Sequence, residues 1–198
     1  MNTATPATCP GPRPGRPRTI TRDRIAGAGI AMGLPSLTFV GIAALLGVSH
    51  MALYKHVANL AALKLLVAEE IFVRWELPDA GGGDLEAYLL RFSASLRELV
   101  KAHPGLAPYL LRRKATPPAM LARIDAHQEH VAHAYALPKA RARWLLSTVA
   151  FHCVALADTV YALAGTEWAD EDAGIEAEFD LGMRALIVGA LAMPVTWP

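Results

Sequence analysis

Cysteine is all but missing from this chain. Cys9 stands in a Pro- and Gly-rich stretch and Cys153 far away in an apolar run, so neither a structural disulfide nor a paired thiolate metal site is expected. That usage suits a reducing, cytoplasmic compartment. Acidic residues are scarce at one end. Residues 1–64 hold only Asp23 against seven Lys/Arg, a local balance of +6, whereas residues 65–198 carry −5. The opening MNTATPATCPGPRPGRPR lacks the apolar segment of a secretory signal. Also absent are a phosphate-cradling glycine loop, paired carboxylates on one helix face, and a Ser or Cys in a nucleophile's setting. His152 and Cys153 are adjacent, so on a helix they diverge by about 100° and form no dyad. An enzyme is therefore not expected, nor a cofactor.

With 54% hydrophobic and 19% charged residues in 198, the chain can bury a sizeable core. The run from Leu145 to Ala164 is nearly long enough to cross a bilayer. His152 and Asp158 interrupt it, and a helix covered on several sides accounts for it without a membrane.

The most informative stretch is Thr38–Val57, TFVGIAALLGVSHMALYKHV. Phe39, Ile42, Ala43 and Leu46 recur at i, i+3, i+4 and i+7, one face of a short helix that Gly47 ends. Ser49 is placed to cap a second helix, in which Leu53 and Val57 continue the buried face. Two short helices joined by a glycine turn make a helix-turn-helix, whose second helix enters the major groove of DNA. Its outward positions are Ser49, His50, Met51, Ala52, Tyr54, Lys55 and His56, a set of donors, one fixed cation and small apolar surfaces suited to phosphates and base edges.

At these residues, LGVSHMALYKHV, the chain resembles the TetR/AcrR family of one-component transcriptional regulators, whose signature is an LGV-type turn followed by Leu-Tyr-x-His-Phe/Val. The resemblance implies an all-α protein of about nine helices. In it, residues 1–19 form a flexible basic arm, residues 20–76 a helix-turn-helix domain with its connecting helix, and residues 77–198 a ligand-binding and dimerisation domain. It assigns Tyr54 and His56 to phosphates and leaves His50, Met51, Ala52 and Lys55 facing the groove floor. Thr38, Ser49 and Lys64 complete the expected DNA surface, with Arg16 and Arg18 of the GRPR arm reaching the minor groove. The implied partners are a near-palindromic double-stranded operator, a small-molecule effector and a second copy of the chain.

Taken in order, a first helix is expected from the cap Thr21 to Met32, burying Ile25, Gly29 and Met32 and ending at Gly33. Gly27 and Gly29 each weaken it by roughly 0.5–1 kcal/mol relative to alanine. A fourth helix starts after Asn59 and runs to about Trp75, with Leu60 where the family commonly has lysine. LPDAGGG at Leu77–Gly83 marks the domain boundary. Further helices are expected from Asp84 to His103, from Gly105 to Arg113, from Thr116 to about Leu137, from about Pro138 to Ala164, and after the acidic loop Glu167–Asp172. His127, His130 and His133 fall at i, i+3 and i+6. The third drifts about 120° from the first, so no metal site is expected.

If the seventh and eighth helices close a pocket with the fourth and fifth, its wall is drawn from Phe92, Leu96, Tyr109, Met120, His127, Trp144, Phe151, His152 and Tyr161, which suits a flat, mainly apolar effector. The resemblance also implies a four-helix dimer interface, at which Leu156 and Val160 of the eighth helix, with Phe179, Gly182, Met183, Leu186 and Gly189 of the ninth, are expected. A second reading, motivated by the glycine-rich first helix and Leu60, is a helical small-molecule-binding or interaction protein with a weakened DNA-binding head.

Overall fold

The computed structural model describes residues 20–81, 83–112, 116–161 and 172–194. Among these residues the secondary structure is entirely helical. It comprises α1 (Arg22–Met32), a 3₁₀ turn (Leu34–Ser36), α2 (Phe39–Leu46), α3 (His50–Leu53), α4 (Leu60–Arg74), α5 (Leu85–Ala102), α6 (Ala107–Leu111), α7 (Pro118–Ala134), α8 (Lys139–Tyr161) and α9 (Asp172–Ala192).

Local chemistry sets four of the helix starts. The side chains of Thr21, Thr38, Asn59 and Asp84 accept from the amides of Arg24, Gly41, Ala62 and Ala87 at 3.2, 3.0, 2.9 and 2.7 Å, satisfying N–H groups that have no intrahelical partner. Gly33 and Gly47 end α1 and α2 at φ +82° and +67°, backbone angles that cost a side-chain-bearing residue energy. The α7 start differs from expectation. Thr116 turns back to donate to the carbonyls of Tyr109 and Arg112, closing α6, and α7 begins one residue after Pro117 without a side-chain cap. The basic end of α6 beyond Arg112 and the acidic loop Glu167–Asp172 lie outside the described residues, apart from the start of α9.

One continuous core runs through both ends of the chain, from Ile25, Ile42 and Leu53 through Val67 and Ile71 to Leu89, Val149 and Ile187. In the N-terminal part α1 packs on α2 and α4, and α3 packs on α2. In the C-terminal part α8 is covered by α5, α6, α7 and α9, and α9 also lies on α5. Long enough and apolar enough to span a bilayer, α8 spends its buried positions on those neighbours. Its buried arc, Ala142, Leu145, Leu146, Val149, Cys153, Val154 and Ala157, is centred on Val149 and Cys153. His152 and Leu156, one and two turns beyond Val149, emerge to solvent. Cys153 is enclosed and donates to the carbonyl of Ser93 at 3.2 Å, and burial pushes its thiol up to about 12.

Two glycines have spatial duties. A Cβ on Gly29 would lie 2.2 Å from Cγ2 of Val67, so the α1–α4 approach requires a residue without a side chain there. Gly105, at φ +82°, seats the α5–α6 turn against Leu34 and Pro35. The buried residues of α1 are Ile25, Ala26 and Gly29; Met32 is only half-buried, its thioether lying against Gly41.

Candidate nucleic-acid interface and regulatory core

The reading head is built around Leu53 and Val57, which are buried, as are Ile42 and Ala43 opposite them. That anchoring forces the remaining α3 positions outward. Ser49, His50, Met51, Tyr54 and Lys55 are exposed, with Ala52 and His56 half-buried. The helical part of α3 is four residues, shorter than the periodicity implied, because the backbone tightens into turns over 54–56. Ser49 occupies the N-cap position, but its hydroxyl makes no cap bond; only its carbonyl accepts, from Ala52 at 3.0 Å.

Two contacts hold this surface in place. The Tyr54 ring stacks on Phe39, centroids 4.4 Å apart and planes within 8°, which fixes α3 against α2. Arg22, at the start of α1, donates to the carbonyl of His56 at 3.1 Å and so puts an exposed guanidinium beside the end of the reading turn. Sequence reasoning missed Arg22. Its signal was a cation one residue past a helix cap, visible only as part of the basic end. Thr38 is engaged as the α2 cap, though its hydroxyl proton can still be donated. Lys64 is half-buried on α4, while Leu60, at the helix start, is exposed. Arg16 and Arg18 lie outside the described residues.

The residues of the expected pocket wall do not come together as one surface. Phe92 and His127 come together, ring centroids 5.9 Å apart, and Leu96 and Met120 are buried. Half-buried Tyr109 accepts the Thr116 bond through its carbonyl. Trp144 lies instead under the guanidinium of Arg141, 4.9 Å from the ring centre, and Arg141 also donates to the carbonyls of Ala190 and Leu191 at the end of α9. Tyr161 donates to Glu176 at 3.1 Å and lies under Lys101. Phe151 and His152 do not belong to the wall: both are exposed, and His152 Nδ1 donates to the carbonyl of Thr148 at 2.8 Å. They point away because α8, apolar nearly all round, takes its inward direction from the helices that cover it.

The aromatic cluster is richer than the sequence suggested. Tyr88, fully buried, puts its hydroxyl 2.6 Å from Nε2 of His127 and packs against Phe92 and Tyr135, with Trp75 beyond Phe92. Burial, then the charges of His130 and Arg123, lower His127 to about 4; burial, then Tyr135, raises Tyr88. Both are neutral near pH 7, so the phenol donates to whichever imidazole tautomer leaves Nε2 bare. Tyr88 falls one turn before Phe92 and reads from sequence as ordinary core, which hid its hydroxyl's partner. His130 faces Asp79 at 3.6 Å and His133 is exposed, so the three histidines diverge.

One turn before His127 on α7, Arg123 reaches the end of α4. Its guanidinium donates to the carbonyl of Phe72 at 2.8 Å and to those of Val73 and Trp75. Beside this junction a crevice of about 120 Å³ opens between Ile30, Ile71, Arg74, Trp75, Leu99 and His103, where α1 and α4 meet α5. Burial lowers His103 from its ordinary value.

On α9 the inward stripe is Phe179, Met183, Ile187 and Ala190. Phe179 and Met183 are thus core residues of the subunit, under Arg97 in the case of Phe179, and are not free to meet a partner. Leu186 and Val160 are half-buried. The open face carries Leu181, Gly182, Val188 and Gly189, and an added Cβ at either glycine meets no atom within 4 Å. Leu156 is exposed on α8.

No family model matches the chain, and no curated protein matches it. Solved structures do. A TetR variant from Acinetobacter baumannii in complex with minocycline is 24% identical, with a TM-score of 0.67 over 86% of this chain and 96% of that one. Apo ActR from Streptomyces coelicolor is 22% identical, with a TM-score of 0.69 over 87% and 95%. The TetR-family protein ActR in complex with actinorhodin, also 22% identical, has a TM-score of 0.67 over 88% and 98%. The chain has the fold of the TetR-family regulators.

Proposed function

We propose that this chain, having the TetR fold, is a ligand-responsive DNA-binding transcription regulator, acting as a cytoplasmic homodimeric repressor on a near-palindromic operator. The single observation that carries the reading is the head. Leu53 and Val57 are buried while Ser49, His50, Met51, Tyr54 and Lys55 are exposed on the segment that follows the Gly47 turn. Phosphates are assigned to Tyr54, His56, Arg22 and Lys64, with Thr38 donating its hydroxyl proton and Arg16 and Arg18 entering the minor groove. The basic end supplies attraction to the polyanion, and the acidic remainder keeps the other domain off it. The working division is residues 20–76 for reading and 77–198 for sensing and pairing.

The effector we infer is flat and mainly apolar; structures of similar fold have been solved in complex with minocycline and with actinorhodin. Tyr88, Phe92 and His127 supply aromatic faces and one exchangeable hydrogen bond. A ligand that breaks the Tyr88–His127 bond shifts α7, and through Arg123 it loosens the end of α4, for which the crevice beside Trp75 leaves room. Lowering operator affinity a hundredfold requires about 2.7 kcal/mol of preference for the non-binding state. Pairing is assigned to the outward faces of α8 and α9, through Leu156, Leu181, Gly182, Val188 and Gly189, with Leu186 at the edge.

The rival reading, a helical binding protein with a weakened head, draws on Leu60, exposed where a cation would meet phosphate. The deciding experiment is enrichment of genomic fragments by the purified protein, followed by footprinting. Enrichment of a short near-palindrome that Lys55→Ala weakens by about 1–3 kcal/mol supports the regulator. Failure to enrich any fragment at low salt favours the rival.

A further inference from the structure

The inventory of side chains on the reading surface limits how it can tell one base pair from another. Between Thr38 and Val57 there is no Arg, Asn, Gln, Asp or Glu. Guanine is ordinarily gripped by the two-pronged guanidinium, adenine by the two-pronged amide, and the cytosine amino group by a carboxylate. None of these lies within that segment, and the guanidinium of Arg22 is engaged with the carbonyl of His56. Lys55 can approach guanine as a point donor, and Ser49 and His50 can donate or accept at several bases without discriminating strongly. What the surface does offer is apolar. Met51 is the second residue of α3 and is 62% exposed. Ala52 stands next to it, half-buried.

An exposed methionine at the leading end of a reading helix has one apolar target in the major groove, the C5-methyl group of thymine. The thioether is long, unbranched and polarizable, so it can cover a methyl group without demanding one fixed geometry. Neighbouring residues hold the approach. Leu53 is buried, Tyr54 is stacked on Phe39, and Arg22 is bonded to the carbonyl of His56, so α3 does not rotate to turn Met51 inward.

We propose that Met51 is a specificity-determining residue that reads the thymine methyl in each operator half-site, so that A·T pairs are recognised from their thymine side. The inference rests on the regulator reading above and adds to it the chemistry by which the operator is chosen.

The test uses the full-length protein and the operator fragment it enriches, with thymines replaced by deoxyuridine one symmetric pair at a time. This removes the methyl group and leaves every hydrogen-bonding group in place. At one thymine position, loss of a buried methyl is expected to weaken binding about fourfold per half-site, or about fifteenfold when both half-sites carry uracil. Met51→Ala is expected to bind the uracil operator within twofold of the wild-type protein and no longer to distinguish it from the thymine operator. Met51 is exposed, so the variant should melt with the wild type, and Met51→Leu, which keeps an apolar side chain, should keep part of the methyl preference. If wild-type protein binds thymine and uracil operators equally at every position, the inference is wrong and the regulator reading stands. The inference is equally wrong if Met51→Ala retains the full difference. Enrichment of no fragment at all removes both.

Discussion

Arg123 of α7 donates to the carbonyl of Phe72 at 2.8 Å, and the same guanidinium takes the carbonyls of Val73 and Trp75, at the end of the helix that leads out of the reading head. Those acceptors have no partner further along α4, because the last carbonyls of a helix never do. A planar fork with five donors is suited to gathering several of them, and it also sits over the Phe72 ring at 5.7 Å. The guanidinium of α7 thus holds the end of α4 by its backbone carbonyls.

Replacing the fork should expose that dependence. Arg123→Lys keeps the charge but cannot reach three carbonyls together, and a loss of about 1–2 kcal/mol in urea unfolding is expected. If effector signals pass through this grip, the variant's operator affinity should also respond less to an effector. Unchanged stability and an unchanged response would show that the contact contributes nothing.

Gly27 and Gly29 should respond to alanine in opposite ways. At Gly27 an added Cβ meets only the tip of Arg74, at 3.9 Å, so Gly27→Ala should stabilise by about 0.5–1 kcal/mol through helix propensity. At Gly29 it would collide with Val67 at 2.2 Å, so Gly29→Ala should destabilise by about 1–3 kcal/mol and push α1 off α4. Trimming the obstacle, in Gly29→Ala with Val67→Ala, should recover part of the collision cost, which thermal melts of the wild type, Gly29→Ala, Val67→Ala and the double variant would reveal.

His127 makes stability depend on pH with a definite sign. Its folded value, about 4, lies below its unfolded value near 6.5, so between those limits the unfolded chain binds more protons. Its contribution is complete above about pH 6.5 and is lost as the pH falls toward 4. His103 is shifted in the same direction, so the measurement is a difference: His127→Gln should unfold with a shallower acid dependence than the wild type over this window. Parallel curves would mean that His127 does not carry the effect.

The two faces of α9 should separate core from interface. Phe179→Ala, inside the subunit, should cost about 3–4 kcal/mol of folding stability. Val188→Glu and Leu181→Glu, on open apolar positions, should leave the fold intact while converting dimer to monomer in sedimentation at micromolar concentration. A dimer indifferent to both charges would place pairing on another surface.

Much of the helix layout could be read from sequence because its causes are local. The caps at Thr21, Thr38, Asn59 and Asp84 act within three residues, and the turns at Gly33 and Gly47 need only their own backbone angles. The outward position of Met51 and Lys55 was legible for a related reason: Leu53 and Val57 are the apolar residues of a short segment, and burying them settles where the rest must point. The sequence alone therefore determined the order of helices, most of their ends and the outward residues of the head. Tertiary structure decided what the long C-terminal helices do with their sides. On α8 apolar residues occur nearly all round, so periodicity cannot say which arc will be covered; α5, α6, α7 and α9 chose the one through Cys153 and left Phe151 and His152 outside. The same holds for pairs far apart in the chain. Nothing near Tyr88 announces His127, nothing near Arg123 announces the end of α4, and Gly29 looks like a weakness until Val67 arrives against it. Those contacts exist only once separate helices are packed, because the partner that gives each residue its role is supplied by another element.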